Sequence, residues 1–213
     1  MNSTYLLGGL GALGAAGTGS LLALKPWNSN VETFKSKYSH ALINAGDNSL
    51  WSNKFTLLKD SNPEHQTLKE AVNKAKATSP DEAGAKELLK RGCQEIYDSP
   101  YEGSKYLNDF EKYCSKTNKD ASSNQTWNGS DVSTASGNKW DTALNALKTH
   151  DEATNKKLDS VLAELKNSIQ GNTQITADHR TKLKNWCEGI KSKPYLGSDS
   201  LDFKHQELYC KHS

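Results

Sequence analysis

The chain has 213 residues and a formal net charge of +2, which leaves room for one ordinary domain or two small ones. Its apolar fraction of 34 % stays below the roughly 45–50 % of globular chains even with glycine added, so any core is thin. Of 27 basic residues only Arg91 and Arg180 are arginine, and acids balance bases along the chain, which excludes the basic footprint of a nucleic-acid binder.

Tyr5 to Leu24 is an uncharged run of 20 residues closed by Lys25, Pro26 and Trp27, long enough to cross a hydrocarbon core of about 30 Å. It predicts a transmembrane helix at residues 5–24, with residues 1–27 serving as a membrane anchor or uncleaved signal. A cleaved secretory signal is the second reading, disfavoured because no Lys or Arg precedes the run. Gly8, Ala12, Ala15 and Gly19 stand at the small-residue spacing through which two such helices could oligomerise. Gly9, Gly11 and Gly14 copy the dinucleotide fingerprint, but no strand of useful length precedes them and no cofactor is expected. Residues 28–47 then read as a juxtamembrane helix, with Val31, Phe34, Tyr38 and Leu42 at helical spacing before Gly46.

Residues 48–116 form a first helical repeat. Trp51, Phe55 and Leu58 make one stripe, and Asn62-Pro63-Glu64 starts a second helix carrying Leu68, Val72 and Ala75. Ser79-Pro80-Asp81-Glu82 has capping-box spacing and opens a third helix, with Leu89, Cys93 and Ile96 on one face. Pro100 ends it, and Leu107, Phe110 and Cys114 line the fourth. Residues 117–137, rich in Ser, Thr, Asn and Gly, read as a flexible linker in which Trp127 either docks on a neighbouring module, the plainer account, or faces a ligand. Residues 138–213 form the second repeat: Trp140, Leu144 and Leu147; Leu158, Leu162, Leu165 and Ile169 before Gly171; Leu183, Cys187 and Ile190; then Leu201, Leu208 and Cys210. The fold expected is all-α, an N-terminal transmembrane helix followed by a tandem duplication of modules of about four helices each.

The duplication is visible in Leu89-Lys90-Arg91-Gly92-Cys93 against Leu183-Lys184-Asn185-Trp186-Cys187, and in Pro100-Tyr101, Gly103-Ser104 and Tyr113-Cys114 against Pro194-Tyr195, Gly197-Ser198 and Tyr209-Cys210. Four cysteines allow three pairings. A bridge inherited with the unit lies within it, which selects structural disulfides Cys93 to Cys114 and Cys187 to Cys210. Such bridges belong to an oxidising compartment and place the modules on the extracellular side, although Lys25, Lys35 and Lys37 argue by charge for the opposite orientation. Zinc held by Cys187, His205, Cys210 and His212 is the competing reading, and the first copy lacks matching histidines. Asp81-Glu82 and Asp151-Glu152 fall in first turns, where acids complement the helix dipole. Asn124 and Asn128 match the glycosylation acceptor pattern. No acid, base and nucleophile converge, so no catalytic, metal or cofactor residues are expected.

The Gly/Ala-rich run Leu10 to Gly17, followed by Lys-rich and Asn-rich helical modules with Gly92-Cys93, Trp186-Cys187 and Tyr-Cys signposts, resembles the large lineage-specific paralogous families of haemotropic mycoplasmas. That resemblance implies a membrane-anchored surface or exported protein that varies under host immunity, and it supplies no catalytic or binding residues. The expected function is non-enzymatic display of two modules to a host or surface protein partner. The alternative is a cytoplasm-facing scaffold that self-associates through the anchor and the stripe around Phe34 and Tyr38.

Overall fold

The structure, a computed structural model, describes residues 31–122, 126–171 and 174–212, with the side chain of the residue at 212 excepted. Its elements belong to one compact unit, Glu32–Ser213. In chain order they are α1 (Phe34–Lys37), α2 (Asn48–Leu58), α3 (Gln66–Ala75), α4 (Glu82–Tyr97), α5 (Leu107–Asp109), α6 (Asn118–Ala121), β1 (Thr126–Trp127), α7 (Lys139–Lys148), α8 (Glu152–Asn155), α9 (Ser160–Gln170), α10 (Ala177–Lys191), α11 (Leu201–Tyr209) and β2 (Lys211–His212). A 3₁₀ turn at Ser39–Ala41 follows α1, and a π turn at Phe110–Cys114 continues α5.

Side-chain caps start most of the long helices, as short polar residues do when they satisfy orphan amides. Asp47 accepts from Leu50 N at 3.0 Å, Asp81 from Gly84 N at 2.8 Å, Asn138 from Trp140 N at 3.0 Å and Asp159 from Leu162 N at 2.9 Å. Each set of helices closes over its own core. Phe34, Trp51, Phe55, Leu68, Leu89 and Phe110 are among the buried residues of module 1; Trp140, Leu144, Leu162, Leu183 and Tyr209 are among those of module 2. Cys93 is bonded to Cys114 with Cα atoms 5.2 Å apart, and Cys187 to Cys210 with Cα atoms 5.5 Å apart.

Both modules begin earlier than the expected repeats, which start at 48 and 138. Thr33 caps α1 and Thr117 caps α6, each in a capping box, and Thr33 bridges Pro100 as Thr117 bridges Pro194. Tyr101 N donates to Glu32 O and Tyr195 N to Lys116 O, both at 2.9 Å. Trp51 Nε1 donates to Asn44 O and Trp140 Nε1 to Ser130 O, both at 3.0 Å. Leu42 bridges Ser115 just after the first module's last cysteine, and Trp127 pairs with Lys211 just after the second's. The segments expected as a juxtamembrane helix and as a flexible linker are therefore equivalent opening segments of the two modules. The first breaks into α1 and a 3₁₀ turn because Phe34, Ala41 and Ile43 must all enter core 1. In the described part of the second, Asn118 and Asn128 are buried, as are Ser115 and Asn138 at its flanks, and Trp127 packs against core 2.

One expectation is corrected outright. Among the described residues no helix is long and apolar enough to cross a membrane, since α4, the longest, has 16 residues against the roughly 20 apolar ones a span needs. The run at 5–24 lies outside the described residues, as do its glycine motifs and Asn124. The transmembrane helix, the membrane anchor and the single-pass location are accordingly not part of the fold described, which is two helical modules with a two-stranded ribbon, β1 antiparallel to β2.

Candidate functional site

Each module has a cleft in the same place, between its first and third long helices. In module 1 it lies between α2 and α4, encloses about 480 Å³ and is lined by Asn48, Trp51, Ser52, Ala83, Lys86 and Lys90 among others. In module 2 it lies between α7 and α10, encloses about 610 Å³ and is lined by Asp141, Asn145, Lys148, Thr176, Ala177 and Arg180 among others. Three lining positions correspond. Ser52 and Asp141 directly follow the two tryptophans, Lys86 and Arg180 stand seven before Cys93 and Cys187, and Ala83 and Ala177 stand ten before them.

Equivalent backbone carries different chemistry. In module 1, Lys86 Nζ donates to Ser52 Oγ at 3.4 Å and sits 5.5 Å from the centroid of the Phe55 ring. In module 2, Arg180 grips Asp141 through two parallel bonds, Nε to Oδ1 at 2.6 Å and Nη2 to Oδ2 at 2.9 Å. Its Nη1 donates to Val132 O at 3.2 Å, so the guanidinium fork is largely satisfied within the protein and forms a buried wall. Ser133, Asn145, Gln174 and Thr176 supply hydroxyls and amides along that cleft. The two clefts thus share a frame and differ in their polar groups.

A third hollow of about 480 Å³ lies at the junction of the modules, lined by Lys54, Leu57, Glu111, Lys112, Tyr113, Thr117 and Ser192. Lys54 is buried and reaches Asp120 at 3.4 Å. Burial pulls the Lys54 pKa below the ordinary lysine value, and Asp120 opposes that shift.

The residues singled out from the sequence fall mostly in structural roles. All four sulfurs are in bridges, so Cys187 and Cys210 are not thiolate ligands for zinc. His205 Nε2 is bonded to Asn155 O at 3.1 Å, and His179 Nδ1 accepts from Thr176 N at 3.2 Å inside a capping box. Asp81 and Asp151 are N-caps. The Asn128 side chain is buried, its Oδ1 accepting from Ser130 N at 3.1 Å. Sequence reasoning missed Lys86, Asp141, Arg180 and Lys54. The usable signal was alignment of the repeats, because Lys86 and Arg180 are basic at one register, whereas Lys54 opposite Asp120 leaves no local pattern.

No family model matches the chain, and no curated protein or solved structure matches it.

Proposed function

We propose that the chain is a non-catalytic binding protein whose two disulfide-stapled modules display two clefts of common frame and different specificity. The observation that carries this reading is the substitution of Ser52 and Lys86 by Asp141 and Arg180 at equivalent positions of one cleft. A duplicated scaffold that keeps its caps, tryptophans and bridges while changing cleft chemistry suits recognition of two epitopes or of two parts of one macromolecular partner. The bridges fit an exported protein working in an oxidising compartment.

Panning a random peptide library over the oxidised full chain tests the reading. Selected peptides should weaken by about tenfold on Lys86→Ala or Asn145→Ala, which is about 1.4 kcal/mol, and be unaffected by Lys69→Ala outside both clefts. Peptides indifferent to both cleft variants would overturn it. Non-reducing peptide mapping of protein from cells whose thiols are blocked at lysis tests the compartment, where four free thiols would sink the exported reading.

A further inference from the structure

Two histidines of module 2 are buried side by side. His150 follows α7, His205 lies on α11, they are 6 % and 1 % exposed, and their ring centroids are 5.5 Å apart. A carbonyl only accepts, so Nε2 of His150 donates to Lys156 O at 2.8 Å and Nε2 of His205 to Asn155 O at 3.1 Å. In the neutral ring Nδ1 of His150 is then the acceptor for the Tyr209 hydroxyl, 2.5 Å away. Both carbonyls belong to the end of the α8 segment. These two bonds hold a strained piece of chain: Lys156 stands at φ 66°, ψ 166°, a region nearly exclusive to glycine that costs about 1–3 kcal/mol.

The acids named around the pair are engaged elsewhere, and its lysines add positive charge. Lys166 of α9 donates to His150 O at 2.7 Å, and Lys156 Nζ to Asp199 O at 2.7 Å. Asp159 accepts from Leu162 N at 2.9 Å and Trp186 Nε1 at 2.6 Å. Asp151 caps α8, Asp199 pairs with Lys204, and Glu207 pairs with Lys211. Burial holds the His205 imidazole below the ordinary histidine range, with the Asn155 carbonyl and Asp159 opposing and His150 adding to the shift.

Module 1 answers the same position differently. Asp109 stands five residues before Cys114 as His205 stands five before Cys210, and its carboxylate accepts from Glu64 N at 2.8 Å and His65 N at 2.7 Å. His65 is buried too, which lowers its pKa, but Glu95 at 3.6 Å would compensate a proton on it, and Asp109 adds to that only while ionised. Lys105 and Glu70 complete the charges that act on His65.

We propose that module 2 carries an acid-operated latch: a proton on His205, buried beside His150, releases residues 151–159 from α11 while module 1 stays closed, driven by buried charge and not by loss of the carbonyl bonds, whose Nε2 donors remain. A depressed histidine stabilises the closed form above the pKa of the open form, and that stability is lost as pH falls through the folded value. Opening would uncover Leu158, buried in core 2, and dissolve the hollow of about 270 Å³ between Thr154, Asn155 and Phe203.

Hydrogen exchange of the oxidised full chain at about pH 7.5 and about pH 5, corrected for intrinsic rates, tests the latch. Protection of amides 151–159 should fall by about tenfold or more at the lower pH, while amides 64–68 keep theirs. His150→Gln with His205→Gln retains side-chain donors and should abolish the pH dependence. Because that variant risks losing the closed loop at both pH values, the wild-type His205 titration by NMR is the second readout: its midpoint should coincide with the opening midpoint. Unchanged protection at 151–159, equal loss in both modules, or a midpoint apart from the opening would overturn the proposal.

Discussion

Position 109 shows what one side chain decides. Asp109 is fully buried, and its two backbone donors come from the residues just before α3, whose N-cap, His65, has no side-chain cap of its own. An acid from another helix therefore does the work that Asp159 does locally for α9. Burial lifts the Asp109 pKa above the ordinary carboxylate range, and the His65 and Glu64 amides pull it partly back. A raised carboxyl pKa favours the protonated form in the fold, so the stabilisation it contributes is present at low pH and lost as pH rises through the folded value. Asp109→Ala orphans two amides and should cost about 2 kcal/mol in denaturant unfolding, with a larger loss near about pH 5 than near about pH 7.5. A loss that grows with pH would refute this sign. The sequence shows an aspartate on a helix there and nothing of its partners, which lie more than forty residues away.

Elements were legible where apolar spacing is local. The stripes of Leu89, Cys93 and Ile96 and of Leu183, Cys187 and Ile190 are buried as expected, whereas the two expected starts move inward: α3 is capped at His65 and not Asn62, and α4 by Asp81, which accepts from Gly84 N, and not by a Ser79 capping box. In α11 the same reasoning chose the wrong face. Leu201 and Leu208 are 43 % exposed, while His205, Gln206 and Tyr209 face inward. The reason is a polar core contact: Gln206 donates to Asn118 O at 2.9 Å, at the place where module 1 has Phe110 against Phe34 at 4.9 Å. The residue before each bridge's first cysteine also differs. At Gly92 an added Cβ would stand 2.8 Å from Leu68 Cδ2, so α3 lies close on α4, whereas in module 2 the place is taken by Trp186, whose Nε1 donates to Asp159 Oδ2 at 2.6 Å. What the bridges do is common to both modules, tying the third long helix to the module's last turn across 21 and 23 residues. Replacing Cys187 and Cys210 together by alanine should cost about 3 kcal/mol by the chain-entropy estimate. Calorimetry should then show module 2 melting first, and an unchanged melting profile would remove the bridge as a staple.

At the scale of the molecule, the question is whether the modules act as one body. Lys116 N donates to Ala41 O at 2.7 Å, the His40 ring meets the Tyr195 ring at 6.2 Å, and Gly197, at φ 99°, passes close over His40 where a Cβ would stand 3.1 Å away. Across the same junction Lys54 of α2 meets Asp120 of α6, with side chains 4 % and 25 % exposed. Asp120 has a second duty, accepting from Thr117 N at 2.9 Å to close the capping box. Asparagine keeps that duty and discards the charge, so Asp120→Asn isolates the ion pair. It strands a buried ammonium, which costs about 3 kcal/mol or somewhat less given Asp120's partial exposure. Lys54→Met removes the stranded charge at similar volume, so the double variant should recover most of the loss and Lys54→Met alone should be close to neutral. Scanning calorimetry of the four proteins closes the cycle: one transition is expected for wild type, a split or broadened one for Asp120→Asn, and one again for the double variant. Equal stability of Asp120→Asn and wild type would show that the junction is held by the backbone and ring contacts alone.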